Sequence, residues 1–205
     1  MSIATTHIVD DDPAVRDALQ WLLQSRGVPS RTWASAEEFL SFASGDFCGC
    51  ILLDVRMPGM SGIELFDRLR ALDCRLPVIF LTGHGDVPMA VQALKDGAFD
   101  FIEKPYDDNA LVDKVLSAIA HDTKRNARDS SVLLLRQKLE QLTQREQEIM
   151  QLILAGKLNK VIADELGIAM RTVEVHRSRV FEKMQVRSAV ELSQMLSPLG
   201  DKPES

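Results

Sequence analysis

The chain has 205 residues, of which 45% are apolar and 26% charged, which allows one or two domains with ordinary cores. No apolar stretch approaches the ~20 residues of a membrane span. The N-terminus MSIATTHIVDDD lacks the basic start and long apolar region of a secretory signal, so a cytoplasmic protein with no membrane partner is expected. The odd count of three cysteines (Cys48, Cys50, Cys74) argues against a disulfide framework, and the C-x-C pair is not the C-x-x-C of redox or zinc sites. The net charge of −6 hides an asymmetry. Residues 1–122 carry 19 acidic and 10 basic side chains, whereas residues 123–205 carry 11 and 14. A basic C-terminal part is a mild pointer to nucleic acid.

In chain order, His7-Ile8-Val9 reads as a short strand that ends in Asp10-Asp11-Asp12. Pro13 then opens a helix, where its missing N–H costs nothing. Ala14, Ala18, Leu19, Leu22 and Leu23 follow at helical spacing, with Gly27 as the stop. Val28 to Trp33 reads as a second strand, and Ser35 caps a helix with Phe39, Leu40 and Phe42. The continuous run Ile51-Leu52-Leu53 fits a strand buried on both faces and ends on Asp54. A helix follows around Ile63 to Leu72. Leu76 to Thr82 is the next strand, 83–86 a loop, and Val87 to Asp96 a helix. Phe101-Ile102 is a short strand ahead of Glu103-Lys104-Pro105, and Asn109 opens an amphipathic helix.

Five alternations of strand and helix in about 120 residues predict a doubly wound α/β domain with a parallel sheet. Ligands bind beyond the carboxyl ends of such strands. Asp10, Asp11, Asp54, Thr82 and Lys104 would meet there. Taken alone, Asp54 fits either a turn cap or a reactive carboxylate. Taken together, the set has the parts of a phosphoryl-acceptor site. Asp54 is the nucleophile, Asp10 and Asp11 suit Mg²⁺, Lys104 neutralises charge and Thr82 supplies a hydroxyl.

The pieces IVDDD, LLDVRMPGMSG, FLTGHGD and FIEKP, in this order and spacing, resemble the receiver domain of two-component response regulators over residues 3–121. The resemblance implies that Asp54 is phosphorylated by a sensor histidine kinase. It implies that Asp11 and Asp54 bind Mg²⁺ directly with the backbone carbonyl of Arg56, and that Asp10 assists. Thr82 and Phe101 would be the switch pair, Lys104 the phosphate partner, and the Lys104–Pro105 bond cis. Arg56 and His84 would border the path of an attacking water and tune phosphate lifetime.

Residues 122–139 are expected to be a linker, helical in part, since His121 to Ser131 is polar and Leu133, Leu134, Leu135, Leu139 and Leu142 follow among charged residues. Thr143 and Glu146 then fit a capping box. Three further helices are expected: Asn159 to Leu166, Met170 or Arg171 to Met184, and Ala189 to Leu196, followed by a disordered tail. Helix, glycine turn, helix is the helix-turn-helix pattern, in which the second helix enters the major groove. The run LTQREQEIMQLILAGKLNKVIADELGIAMRTVEVHRSRVFEKMQVRSAVEL resembles the DNA-binding domain of LuxR, NarL and FixJ regulators. With the receiver motifs before it, the chain is most similar to the FixJ type, and a tetrathionate-respiration regulator (TtrR) falls within the same resemblance. The whole is therefore expected to be a (βα)5 receiver followed by an all-α helix-turn-helix domain over 140–199.

The resemblance makes Glu174, Val175, Arg177 and Ser178 candidates for base-edge or groove contacts. Lys160, Arg171, Thr172, Arg179 and Lys183 are candidates for phosphate contacts. His176 is expected to pack or touch a phosphate, with no second ligand near it to hold a metal. Promoter DNA, RNA polymerase and a second phosphorylated copy are the implied partners. A haloacid-dehalogenase-type phosphohydrolase is disfavoured, because Arg56 stands where that chemistry needs an acid. A protein-binding adaptor is disfavoured by the arginines of the third helix.

Overall fold

The computed structural model describes residues 3–42, 47–83 and 87–200. The chain divides into two compact units, Met1–Asn126 and Ala127–Ser205.

In the first unit the strands are β1 (Thr5–Val9), β2 (Ser30–Trp33), β3 (Gly49–Asp54), β4 (Val78–Thr82) and β5 (Asp100–Glu103). They form one sheet of order β2-β1-β3-β4-β5, and every pairing is parallel. The connecting helices are α1 (Pro13–Ser25), α2 (Ala36–Phe42), α3 (Gly62–Ala71) and α4 (Val87–Lys95). The doubly wound architecture follows from β3, whose six residues are all buried. Successive side chains of a strand point to opposite faces. Ile51 and Leu53 pack with Phe39, Leu65 and Phe66 of α2 and α3. Cys50 and Leu52 pack with Leu19 and Leu23 of α1 and with Leu111 and Val115 of the last helix. A fully buried Leu or Ile side chain contributes about 2 kcal/mol, so this strand fixes both layers. The three cysteines are free thiols.

The last helix, α5, runs from Asp108 to Glu140, 33 residues without a break. The polar stretch 121–131, where the expected linker begins, is thus helical, and the division between the two units falls within it. It holds no Pro or Gly, and its Lys, Arg and Ala are good helix formers. Most of the stretch is exposed, Asp122 is buried, and its polarity does not end the helix. Leu135 is buried in the second unit's core, whereas Leu133 and Leu134 are exposed.

The second unit adds α6 (Gln144–Leu154), α7 (Asn159–Leu166), α8 (Met170–Met184) and α9 (Ala189–Gly200). Thr143 and Glu146 form the expected reciprocal capping box at the start of α6. Ile149, Ile153, Ile162, Val173, Val180, Met184 and Leu192 make the core. Gly167, at φ 61°, ends α7 in the left-handed region and turns the chain into α8. The helix α9 continues through Pro198 to Gly200, beyond the expected end at Leu196. Of the expected tail 197–205, residues 201–205 lie outside the described residues, as do 84–86, with His84, of the expected loop 83–86. Among the described residues no helix is long and apolar enough to cross a membrane.

Candidate functional site

Parallel pairing brings the carboxyl ends of β1, β3, β4 and β5 to one edge. Leu53 stands opposite Val9, Leu81 opposite Asp54, and Thr82 opposite Glu103. Asp10, Asp54, Thr82 and Lys104 therefore arrive together. The Lys104 ammonium lies 2.5 Å from Asp54 Oδ1 and 3.1 Å from Asp10 Oδ2. The Asp10 side chain is 2% exposed and that of Asp54 12%. The Lys104–Pro105 peptide is cis.

Two loops flank this pair. After β1, Asp10 Oδ1 accepts from the N–H of Asp12 at 2.9 Å, and Asp12 caps α1 by accepting from the N–H of Ala14. The third member of the acidic triplet, Asp11, is exposed at the rim. After β3, the N–H of Arg56 donates to Asp54 Oδ2 at 2.8 Å. The helix α3 begins against Asp54 itself: a Cβ on Gly62 would lie 2.0 Å from the carbonyl oxygen of Asp54, so only glycine allows that approach.

Burial pushes the Asp54 carboxyl above the ordinary carboxylate range. Lys104 pulls it back and Asp10 pushes it up again. For Lys104, burial disfavours the charge, but the bond to Asp54 and the charges of Asp10 and Asp54 outweigh it and raise the ammonium above its usual value. The Thr82 hydroxyl is buried and has no hydrogen-bond partner among the described residues. An orphaned buried hydroxyl costs on the order of 1–3 kcal/mol, so its persistence beside a charged pocket needs a reason. Phe101 is half-buried against the α2–α4 layer.

The donor set suits a hard divalent cation. Among the described residues no three His, Cys, Asp or Glu side chains converge into a metal cage. Mg²⁺ does not need one, since it keeps several waters and takes one or two carboxylates. Asp10 and Asp54 already share one cation, the Lys104 ammonium, and Asp11 stands exposed beside them.

Sequence reasoning passed over two residues. Arg16 Nη1 donates to the carbonyl oxygens of Asp10 and Asp11. Glu37 Oε1 accepts from the N–H of Met60 at 2.9 Å and lies against Gly59, which ties α2 to the loop after Asp54. The Arg16 position, one turn into the helix after the acidic triplet, was a usable signal. Glu37 carried none, because its partner is a backbone group brought near only by the fold.

In the second unit, Lys160, Arg171, Thr172, Glu174, Val175, Ser178 and Arg179 are exposed on α7 and α8. Two other candidates turn inward. Arg177 is half-buried, donates to Asn159 Oδ1 at 3.2 Å and lies over the Phe181 ring. Lys183 donates to the Gln141 carbonyl at 3.0 Å and to Glu146 Oε2 at 2.6 Å. Both fall on the flank of α8 beside Val173, Val180 and Met184, where the helix packs on its own domain. His176 is half-buried, and its Nδ1 has no hydrogen-bond partner among the described residues.

Comparison with known proteins agrees with this division. Residues 6–116 match the response regulator receiver domain. Residues 140–196 match the bacterial regulatory proteins of the luxR family. The chain is 53% identical over 193 residues to the C4-dicarboxylate transport transcriptional regulatory protein DctR of Rhodobacter capsulatus, covering 93% of this chain and 98% of that one. It is 43% identical over 195 residues to the transcriptional regulatory protein FixJ of Rhizobium meliloti strain 1021, covering 95% and 96%. Among solved structures, the response regulator StyR matches at 41% identity and TM-score 0.89, with 96% of this chain and 99% of that chain covered. Full-length FixJ from B. japonicum matches at 39% identity and TM-score 0.62, with 98% of each covered. A parallel-sheet unit that matches the receiver model, followed by a helical unit that matches the luxR model, places the chain among the two-component response regulators that join a receiver domain to a LuxR-type DNA-binding domain.

Proposed function

We propose that Asp54 accepts a phosphoryl group from a sensor histidine kinase and that the modification controls promoter binding by the second unit. The observation that carries this reading is Lys104, which spans Asp54 and Asp10 at the carboxyl edge of the sheet. A carboxylate oxygen of Asp54 attacks phosphorus, the donor's imidazole leaves, and Asp54 becomes an acyl phosphate. Lys104 is placed to follow the charge from the carboxylate to the new phosphoryl oxygens. Asp11, Asp54 and the Arg56 carbonyl would hold Mg²⁺, with Asp10 assisting. Bound there, Mg²⁺ supplies a Lewis acid that neutralises phosphoryl oxygens.

The orphaned Thr82 hydroxyl supports the switch. A phosphoryl oxygen is the partner it lacks, and moving toward it vacates room for the half-buried Phe101. Phosphate acts only by stabilising that arrangement more than the resting one. Its readout is dimerisation. A unit with the mild positive charge of residues 123–205 gains affinity by presenting two copies to paired half-sites. Arg171, Thr172, Arg179 and Lys160 would meet phosphates, and Glu174, Val175 and Ser178 would enter the groove. RNA polymerase is the further partner, and activation the output.

The chemical step is tested by incubating the protein with Mg²⁺ and acetyl phosphate and measuring intact mass. The wild type is expected to gain one phosphoryl group and Asp54→Asn none. Equal modification of both would place the acceptor elsewhere.

A further inference from the structure

The acidic triplet at the end of β1 is shaped by one side chain that has no part in the chemistry proposed above. Arg16, one turn into α1, reaches back with Nη1 to the carbonyl oxygen of Asp10 at 2.7 Å and to that of Asp11 at 2.9 Å. The sheet has released the chain by then. The N–H of Asp10 still donates to the Trp33 carbonyl of β2, at 3.3 Å, and no ladder bond follows it.

Each peptide group is a rigid plane. The plane joining Asp10 to Asp11 has its carbonyl on Arg16. The plane joining Asp11 to Asp12 has its carbonyl on Arg16 and its N–H on Asp10 Oδ1, at 2.9 Å. Asp11 sits between these two planes, so one nitrogen of Arg16 restrains both dihedrals of Asp11 and the direction in which its carboxylate leaves the chain. The second plane also carries the N–H that orients the Asp10 carboxylate, whose other oxygen meets Lys104. If the plane turns, Asp10 loses that donor.

We propose that Arg16 is a positioning residue for the phosphoacceptor pocket, holding the two peptide planes that aim the Asp10 and Asp11 carboxylates at Mg²⁺. This rests on the Asp54 reading given above. Residues that orient metal ligands from behind are worth about 10–100-fold in metal affinity. A guanidinium near the pocket also has an electrostatic effect, and its sign is opposite. Removing a positive charge beside a cation site tightens cation binding. The two roles of Arg16 therefore predict opposite changes.

The experiment is Mg²⁺ binding to the full-length, unphosphorylated protein by titration calorimetry. Wild type, Arg16→Ala, Arg16→Lys and Arg16→Met are compared, with the melting temperature of each recorded. Arg16→Met keeps an apolar stem if the alanine variant fails to fold. Positioning predicts that Arg16→Ala and Arg16→Met bind Mg²⁺ about 10-fold more weakly. It predicts that Arg16→Lys, whose ammonium can serve two carbonyls, recovers most of the affinity. Unchanged or tighter binding by the folded alanine or methionine variant overturns the role of Arg16 and leaves the pocket's function standing. Absence of Mg²⁺ binding by the wild type overturns the metal reading itself.

Discussion

Lys104 and Asp54 face each other at 2.5 Å across the carboxyl edge of the sheet, yet the Asp54 carboxyl is held above its ordinary range. One ammonium is shared between two buried carboxylates, and it does not offset what burial costs Asp54. A group whose folded pKa is raised contributes stability that is fully present below its unfolded pKa and is lost as pH rises through the folded value. At neutral pH the ionised Asp54 therefore works against folding. Asp54→Asn, which keeps an oxygen for the Arg56 N–H, should stabilise the receiver unit by about 1 kcal/mol at pH 7. The gain should shrink as pH falls through the raised folded value towards the ordinary carboxylate range, where Asp54 is protonated in the folded protein. Thermal unfolding of both proteins at pH 7 and pH 4 checks this, and a lower melting temperature for the variant at pH 7 contradicts it.

His7 makes the opposite pH prediction. It is 3% exposed on β1 and accepts from the Trp33 indole N–H through Nδ1 at 3.2 Å. Burial, reinforced by Arg31, pushes its pKa down from 6.5 to about 4. A depressed folded value means stability that is present above pH 6.5 and lost as pH falls towards about 4. The loss should approach about 3 kcal/mol. Urea unfolding across that window should show the decline in the wild type and a smaller one in His7→Phe. Parallel pH profiles would show that His7 carries none of it.

Lys183 is best separated from a phosphate contact by the sign of two measurements. Glu146 is 2% exposed, and its carboxyl stays below the ordinary range. Burial alone would raise it, but the Lys183 ammonium and the Thr143 amide outweigh that. Lys183→Met leaves this carboxylate buried without its cation and should destabilise the second unit by about 2 kcal/mol. The salt dependence of DNA binding should be unchanged. A phosphate contact would behave in reverse, with the log–log salt slope reduced by ~0.9 and melting unaffected.

Asp122 anchors α5 to the first unit. It is fully buried, with one oxygen accepting from the Gly49 N–H at 2.9 Å and from Asn126 Nδ2 at 3.0 Å. Arg125 donates to its other oxygen and to the Arg75 carbonyl. Asp122→Ala strands the Gly49 N–H and the Arg125 charge and should cost about 3 kcal/mol. Hydrogen exchange should then show faster opening of α5 around 119–126. Unaltered exchange there would show that the carboxylate does not hold the helix.

These residues mark where sequence reading succeeded and where it stopped. The sheet was legible because buried parallel strands are continuous apolar runs, and Ile51 to Asp54 is one. The pocket was legible because each of its members ends a strand. The resemblance makes Arg177 and Lys183 candidates for DNA contacts and says nothing of partners within the domain. The fold gives them Asn159, Phe181 and Glu146 as partners, and those contacts cross between helices at separations no local pattern encodes. Asp122 read as a solvated linker residue for the same reason. Its partner Gly49 lies 73 positions away.

In the function proposed above, charge placed on Asp54 changes what α8 does. The most direct test is DNA binding to a pool of genomic promoter fragments by wild type and Asp54→Ala, each with Mg²⁺, with and without acetyl phosphate. The donor is expected to strengthen binding by the wild type alone. Equal binding by both proteins, with or without donor, would leave the DNA-binding unit standing and contradict its control by Asp54.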